Sequence, residues 1–210
     1  MKKYDNALKY EIFEKKEYKF LDDFIKNAKT IIDIWAHYGY FSLYALDINN
    51  NLNIYALEPI FYNKAIENLN KYPNVKLYKL WVSSEVGESY IYRNSEKTMQ
   101  SSIYNDNFLN KSEDKIKCKF TTIKEFIKDN NIKTVDLMKI DIEWAEFEVL
   151  LSMEDKEFKN IKTLCLEYHI LENSFQDKFN ILVEKLRKNY INMEIIESEY
   201  TNKVGYILAY

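Results

Sequence analysis

The amino-acid sequence predicts an α/β fold built on a doubly wound, mostly parallel sheet of seven strands that ends in an antiparallel hairpin. Apolar runs of strand length alternate with helical patterns along most of the chain, which is typical of parallel strands joined by helices. Only a short polar segment separates the last two apolar runs, and this spacing indicates a hairpin. Because 210 residues with 47% hydrophobic content can bury one sizeable core, we expect residues 1–210 to form a single domain.

The first half of the chain contains a βαβαβ pattern. A helical lead-in is expected over residues 1–29, with an amphipathic helix at 16–28. Beyond it the sequence predicts strands 30–35, 52–57 and 75–82, with helices 40–47 and 60–71 between them. Residues 84–118 are polar and rich in Ser and Asn, and we predict an irregular insertion or hairpin there, the best candidate for a lid.

The second half resumes the alternation and closes the sheet. The sequence predicts helix 122–130, capped by Thr121 or Thr122, then strand 134–141, helix 144–152, strand 161–168, helix 174–188, and a hairpin of 191–197 with 203–210. Seven strands with a closing hairpin are the pattern of a class I methyltransferase sheet, which is Rossmann-like. Few other doubly wound folds end in this way.

Charge and hydropathy indicate which partners to expect. The net charge is −3, and 30 basic residues are spread among 33 acidic ones without forming a stripe, so we expect no nucleic-acid partner. No apolar stretch approaches 18 residues and the N-terminus lacks a secretory signal, so we expect no membrane insertion and a cytoplasmic location. Cys118 and Cys165 have no CxxC companion, so we interpret them as structural thiols and predict no metal site.

The stretch DIWAHYGYF, residues 33–41, resembles a nucleotide-binding loop with a tryptophan in it. An apolar run ends on Asp33, and Gly39 precedes a helix that starts near Tyr40. In a doubly wound sheet this first loop lies beyond the carboxyl ends of the strands, where ligands bind. Backbone N–H groups and the N-terminus of the helix could hold polar groups of a ligand there.

A second carboxylate follows at the spacing of a ribose-binding residue. Glu58 ends the second predicted strand in YALEP, 25 residues after Asp33, where a carboxylate can accept both ribose hydroxyls. With Pro59 at a first helical position, Glu58 could instead be a simple cap of the next helix. In register with Asp33 and Gly39, the ribose-binding role is the more favoured of the two.

The segment DLMKIDIEWAE, residues 136–146, carries charge into a buried strand. Period-two alternation places Lys139 and Asp141 on one strand face, with Asp141 at the carboxyl end. Charged side chains in such a strand are seldom unpaired, so the two are strong site candidates. Glu143 and Glu146 open the next helix, where the helix dipole favours acids without any functional reason.

Taken in order across residues 30–170, these segments resemble the FkbM family of S-adenosylmethionine-dependent methyltransferases. The matching segments are IIDIWAHYGYFSLYAL, YALEP, VSSEVGE, TTIKEF, DLMKIDIEWAEFEVL and CLEYH. The first motif of the family is similar to D-x-G-A-N-x-G-Y-F and the fourth to K-x-D-x-E-G-A-E. The resemblance implies S-adenosylmethionine as cofactor and O-methylation of a hydroxyl on a small molecule, glycan or lipid.

The resemblance also assigns roles to individual residues. It implies that the first loop, with Glu58 and its neighbour, surrounds the cofactor, that Ser83 lies near the adenine, and that Asp141 faces the sulfonium or the acceptor. The implied cofactor-binding set is Asp33, Trp35, Ala36, His37, Tyr38, Gly39, Phe41, Glu58, Pro59, Ser83 and Asp141. His37 stands where the family has Asn, which keeps a polar side chain but changes its hydrogen-bond donors.

Methyl transfer to a hydroxyl requires a base that removes the hydroxyl proton. Asp141 is the first candidate because it lies at a strand end beside the predicted pocket, with Lys139 as its partner. His169, at the end of the strand predicted over 161–168, is the second candidate. A lone histidine is more often a structural residue, so His169 is the weaker of the two.

Three tryptophans depart from this pattern. Trp35 and Trp144 stand where the family has glycine, and Trp81 occupies a position where a small residue would be unremarkable. The chain has three glycines, against roughly 15 expected at an average usage of about 7%. We therefore hypothesise that the tryptophans are UGA codons that the source organism reads as glycine.

Two other functions come into consideration, the first of them if the tryptophans are genuine. The domain could be a methyltransferase-like binding module without catalysis, because an indole obstructs the cofactor loop. An NAD-dependent oxidoreductase would share the fold and the acid spacing, but it lacks the K-x-D-x-E-x-A-E segment and the terminal hairpin. The coding DNA at positions 35 and 144 discriminates best among these possibilities.

Overall fold

A computed structural model describes residues 2–93, 101–102, 115–142, 145–170, 173–198 and 201–210. Glu143, Trp144 and most of the predicted insertion lie outside the described residues. Along the described chain the strands are β1 (Thr30–Ile34), β2 (Asn53–Leu57), β3 (Val75–Tyr78), β4 (Trp81–Val82), β5 (Gly87–Arg93), β6 (Ser101–Ser102), β7 (Lys115–Thr121), β8 (Leu137–Ile140), β9 (Leu164–His169), β10 (Met193–Ser198) and β11 (Thr201–Ala209).

The helices flank these strands. They are α1 (Lys2–Lys9), α2 (Asp22–Asn27), α3 (Tyr40–Ile48), α4 (Tyr62–Leu69), α5 (Ile123–Asp129), α6 (Glu146–Ser152), α7 (Asp155–Phe158) and α8 (Asn173–Asn189). A π-helical turn, Tyr10–Glu14, and a 3₁₀ turn, Lys19–Leu21, connect the first two helices. Within the described ranges, no helix has both the length and the apolar character needed to cross a membrane.

Seven strands form the central sheet in the order β10-β11-β9-β8-β1-β2-β3. The five strands from β9 to β3 are parallel, and β11 joins antiparallel to β9 and forms a hairpin with β10. This arrangement confirms the predicted doubly wound sheet with its closing hairpin. Strand order reverses between β1 and β8, and this switch point is where such sheets bind ligands.

The structure differs from the sequence-based expectations in two places. The strand predicted over 75–82 divides, because β3 ends at Tyr78 while β4 pairs with β7 in a second sheet of order β4-β7-β5-β6. β5 and β7 pair antiparallel, so the described flanks of the predicted insertion are regular strands. The helix predicted over 16–28 is shorter, since only Asp22–Asn27 is α-helical, and α1 precedes it.

The hydrophobic core covers both faces of the central sheet. Successive residues of β1 alternate between two clusters, with Ile31 in one and Ile32 in the other. α2 and α3 pack on the Ile31 face, to which α2 contributes Ile25 and α3 contributes Phe41. Asp33 follows Ile31 by two residues on that face, so the sheet carries a charged residue into the core at the switch point.

Candidate functional site

A buried lysine links the two strands at the switch point. Asp33 of β1 pairs in register with Lys139 of β8. The Lys139 ammonium donates hydrogen bonds to the carbonyl of Trp35 at 3.1 Å and to Asp141 Oδ2 at 3.3 Å, and its Nζ lies 3.7 Å from Asp33 Oδ1. The structure therefore brings together the Lys139 and Asp141 pair that the alternation predicted.

The electrostatics of this pair follow from its burial. Burial alone would lower the pKa of Lys139, but the carboxylates of Asp141 and Asp33 raise it above its ordinary value. Burial also raises the pKa of Asp33, although Lys139 and a 2.7 Å hydrogen bond from the Ser42 hydroxyl oppose this shift. Lys139 is thus a fixed positive charge that holds carboxylates from two strands around it.

The loop between β1 and α3 has an unusual backbone. Trp35 and His37 adopt positive φ values of 67° and 53°, and Gly39 has a φ of 81°. A Cβ at position 39 would lie 2.7 Å from the side chain of Leu69 and would force it to shift, so glycine is favoured there by space as well as by φ. Position 35 shares the left-handed conformation that glycine adopts without strain.

The N–H groups of this loop bond to the protein itself. Those of Trp35 and Ala36 both donate to the carbonyl of Leu57 at 3.0 Å, and that of Gly39 donates to the carbonyl of Ala36 at 2.7 Å. The N–H of His37 donates to Glu58 at 2.8 Å. We expected these groups to face a ligand, and in this structure four of them are occupied within the chain.

The two described indoles pack against each other inside the core. Trp35 is 7% exposed and Trp81 is 1% exposed, and their ring centroids lie 4.6 Å apart in an edge-to-face arrangement. The indole N–H of Trp81 has no hydrogen-bond partner among the described residues. An unpaired buried donor costs about 1–3 kcal/mol, so Trp81 fills this space at an energetic cost.

Glu58 is fully buried and holds the backbone around it. Its carboxylate accepts hydrogen bonds from the N–H groups of His37, Ile60 and Phe61, at 2.6–2.8 Å. Burial raises the pKa of Glu58 to about 7, although the three hydrogen bonds lower it. In this structure Glu58 therefore caps the segment before α4. Pro59, which follows Glu58 directly, is also buried.

A cavity of about 130 Å³ opens beside Lys139 at the carboxyl ends of the strands. It is lined by Tyr4, Leu8, Glu11, Ile12, Glu17, Tyr18, Trp35, Ala36, His37, Tyr38, Tyr40, Phe41, Lys139, Asp141 and Glu167. The predicted site residues that do not line it are Asp33, Gly39, Glu58, Pro59, Ser83 and His169. Ser83 lies in a separate groove beside Thr122 and Lys124.

The N-terminal segment covers this cavity. The Tyr4 hydroxyl lies 3.1 Å from His37 Nε2, and Tyr40 donates a hydrogen bond to Asp5. None of the described residues between 84 and 118, the segment proposed as a lid, lines the cavity. The covering element in this structure is therefore the stretch that the sequence suggested only as a helical lead-in.

Three acidic residues of the cavity, Glu11, Glu17 and Glu167, escaped the sequence analysis. Glu167 lies in β9, and burial together with the neighbouring Asp141 raises its pKa well above the usual value. Burial also raises the pKa of Glu17, which accepts a 2.7 Å hydrogen bond from the Tyr206 hydroxyl. A charge in the apolar run LCLEYH was the signal that could have revealed Glu167, whereas nothing local distinguished Glu17.

His169 lies outside the cavity and is held by α6. The carboxylate of Glu146 lies 2.9 Å from the backbone N–H of His169 and 3.1 Å from its ring Nδ1. The other ring nitrogen, Nε2, lies 3.8 Å from Glu167 Oε1. Glu146, which we attributed to the helix dipole, is fully buried and orients His169.

His37 provides a test of this electrostatic description. Burial lowers the pKa of His37 to about 4, against the opposing effect of Asp141. The unfolded chain therefore binds a proton between about pH 6.5 and pH 4 that the folded chain does not, and stability falls as pH falls through this window. Relative to His37→Asn, the parent chain should lose on the order of 1–3 kcal/mol of unfolding free energy between pH 7 and pH 4.5.

Urea denaturation of both proteins at the two pH values measures this difference. Groups other than His37 titrate in both chains, so their contributions cancel in the comparison. A stability difference that stays constant with pH would contradict the neutral, half-buried state assigned to His37.

The fold and the position of the cavity define a class I methyltransferase-like protein. The chain belongs to the FkbM methyltransferase family, because the family model for the methyltransferase FkbM domain matches residues 33–199. This match confirms the family that the motifs resembled.

Comparison with solved structures supports the same fold. Methyltransferase FkbM from Methylobacillus flagellatus superimposes with a TM-score of 0.58 at 12% identity, over 87% of this chain and 44% of that one. Fibrillarin from Aeropyrum pernix, solved with natively bound S-adenosylmethionine, gives a TM-score of 0.52 at 9% identity, over 89% of this chain and 68% of that one. At these identities the likeness shows the fold alone.

The chain is also similar to a much longer curated protein. It is 22% identical over 176 residues to the AMB antimetabolite synthetase AmbE of Pseudomonas aeruginosa. The match covers 67% of this chain and 8% of AmbE. The chain thus spans a small part of that relative and less than half of the M. flagellatus protein.

Proposed function

We propose that the chain is an S-adenosylmethionine-dependent methyltransferase that methylates a hydroxyl of a small acceptor. The observation that carries this proposal is the charge around the cavity at the switch point. Among the described residues, four acidic side chains line it, those of Glu11, Glu17, Asp141 and Glu167, against one ammonium, that of Lys139. Such a cavity favours a cationic ligand, and S-adenosylmethionine carries a positive sulfonium.

The charge of the cavity lining suits this cofactor better than the present volume of the cavity does. A cavity of about 130 Å³ is smaller than the roughly 300–1,000 Å³ of typical small-molecule sites. Its walls include the N-terminal segment and the loop around Trp35, and movement of either would enlarge the cavity. We infer that the cofactor enters when one or both of these segments move.

Residues of the chain would orient the acceptor hydroxyl and remove its proton. The bound cofactor supplies an electrophilic methyl group on its sulfonium. Asp141 is 22% exposed at its side chain and borders the cavity, so it can accept the proton of the acceptor hydroxyl. Lys139 holds Asp141 in place, and His169 remains the second candidate for the base.

The acidic lining also bears on the acceptor. A phosphorylated acceptor or a nucleic acid would bring negative charge toward the same four acidic side chains, which is unfavourable. We therefore propose an acceptor that is neutral or cationic, such as a sugar or a small metabolite. Methylation of an RNA oligonucleotide in preference to small alcohols would overturn this part of the proposal.

Calorimetry of cofactor binding tests the proposal directly. In a chain carrying Trp35→Gly and Trp144→Gly, the further change Glu58→Ala should weaken S-adenosylmethionine binding by about 1–3 kcal/mol, the range for removing a charged hydrogen-bond partner. Glu67→Ala, on an exposed face of α4, is the control and should leave affinity unchanged. Circular dichroism separates lost binding from lost folding, because Glu58 also holds the backbone of His37.

Two results would decide against parts of this proposal. Unchanged affinity in Glu58→Ala would remove Glu58 from the ribose-binding role and leave it as a cap. Tight binding of NADH in place of S-adenosylmethionine would favour an oxidoreductase.

A non-catalytic binding module is the second candidate. The observation in its favour is that Trp35 is buried in the core at a strained φ while four N–H groups of the loop are occupied by the protein. UGG codons at positions 35 and 144, together with no measurable cofactor binding, would establish it over the enzyme.

A further inference from the structure

Three potential metal ligands come together beside the cavity. One ligand atom each from Asp141, Glu167 and His169 lies within 4.8 Å of the other two. Lys139 pairs in register with Cys165 on the adjacent strand β9, so Asp141 and Glu167, each two residues further on, reach the same edge and face of the sheet. The grouping thus follows from the topology of the sheet and not from chance proximity at the surface.

The carboxylate of Glu146 provides a second, independent observation. Glu146 is fully buried, and its Oε1 lies 3.1 Å from Nδ1 of His169. Histidines that bind metals commonly donate their other ring N–H to a carboxylate, which orients the ring and raises its basicity. The second oxygen of Glu146, Oε2, is buried and has no hydrogen-bond partner among the described residues.

Acidic side chains also outnumber the ammonium group at this point. Glu17, Asp141 and Glu167 converge on the cavity, and Lys139 supplies the compensating ammonium there. That ammonium bonds Asp141 through Oδ2, and a carboxylate has a second oxygen for another ligand.

We infer that Asp141, Glu167 and His169 bind a divalent first-row cation that holds the acceptor hydroxyl, an inference that rests on the proposed function. Two carboxylates and one imidazole suit Mn²⁺, which takes carboxylate and water ligands in octahedral geometry. Three protein ligands leave about three octahedral positions, enough for two oxygens of one acceptor. The site therefore favours acceptors with adjacent oxygens, such as vicinal diols of sugars.

The ion would also make it easier for the base to remove the proton of the acceptor hydroxyl. A hydroxyl bound to a divalent cation has a lowered pKa, so its proton leaves more readily to a nearby carboxylate or to water. Asp141 could then accept the proton even while Lys139 bonds it. The ion and the base thus act on the same hydroxyl from one wall of the cavity.

Electron paramagnetic resonance of Mn²⁺ tests the site without reference to activity. The full chain should remove about one equivalent of Mn²⁺ from the six-line signal of the free ion. Glu167→Gln should weaken this binding at least about tenfold, and Glu146→Gln should weaken it about 10–100-fold, the range for second-sphere partners of metal-binding histidines. Glu11→Gln removes a carboxylate from the same cavity outside the cluster and should bind Mn²⁺ like the parent.

Thermal unfolding with and without Mn²⁺ provides a second measurement on the same proteins. Mn²⁺ should raise the Tm of the parent and of Glu11→Gln, but not that of Glu167→Gln, because a ligand stabilises only the state that binds it. Absence of binding by the parent would overturn the inference, as would equal binding by Glu167→Gln.

Calorimetry with S-adenosylmethionine keeps the two proposals apart. Binding of the cofactor without binding of Mn²⁺ would overturn the metal site and leave the proposed function standing. Binding of Mn²⁺ without binding of the cofactor, in the chain that carries glycine at 35 and 144, would support the metal site and overturn the proposed function.

Discussion

A chain with glycine at positions 35 and 144 should bind S-adenosylmethionine at least about tenfold more tightly than the chain with tryptophan, which is about 1.4 kcal/mol or more. Trp35 has a φ of 67°, and a bulky residue held in that region is strained by about 1–3 kcal/mol. Its indole packs against Trp81 beside the cavity, so glycine would also release volume there. Trp144 occupies the matching glycine position of the other motif.

Calorimetry on the two forms measures the gain, and Trp35→Ala is the matched control. Alanine removes the indole but keeps a Cβ at a positive φ, so it separates bulk from backbone strain. If bulk alone obstructs the cofactor, alanine and glycine should bind equally well. If strain also matters, glycine should bind more tightly than alanine.

The coding sequence provides the complementary test. UGA codons at 35 and 144 would support the hypothesis that the source organism inserts glycine there. UGG codons at both positions would refute it, and equal cofactor binding by the tryptophan and glycine forms would show that the loop accommodates the indoles.

Asp141→Asn should reduce turnover by roughly 100-fold or more while leaving cofactor affinity largely intact. The amide cannot accept the hydroxyl proton, but it has nearly the same size and can still accept a hydrogen bond from Lys139. Single-turnover kinetics with saturating cofactor measure the chemical step. Calorimetry on the same variant measures binding separately.

Asp136→Asn is the matched control for this change. Asp136 precedes β8 at its opposite end, where it pairs with Lys162 at 2.7 Å and accepts hydrogen bonds from two backbone N–H groups. Its loss should lower stability but not the chemical step. Full activity in Asp141→Asn would direct attention to His169, and failure of that variant to fold would make the Lys139–Asp141 pair a structural one.

Local patterns in the sequence were sufficient to predict the architecture and to place two candidate site residues on one strand face. The alternation of apolar runs and helical patterns predicted a doubly wound, mostly parallel sheet with a closing hairpin, since periodicity records which face of each element is buried. Lys139 and Asp141 could be paired because residues two apart on a strand share a face. The family followed from motifs that lie within single segments.

The tertiary structure alone decided how the site is closed and charged. The segment around Tyr4 lies over His37, and Glu17 bonds Tyr206, a residue 189 positions away. Glu167 reaches Asp141 only because β9 lies beside β8 in the sheet. These contacts join residues that are distant along the chain, and no local periodicity records them, because each depends on how separate elements pack against one another.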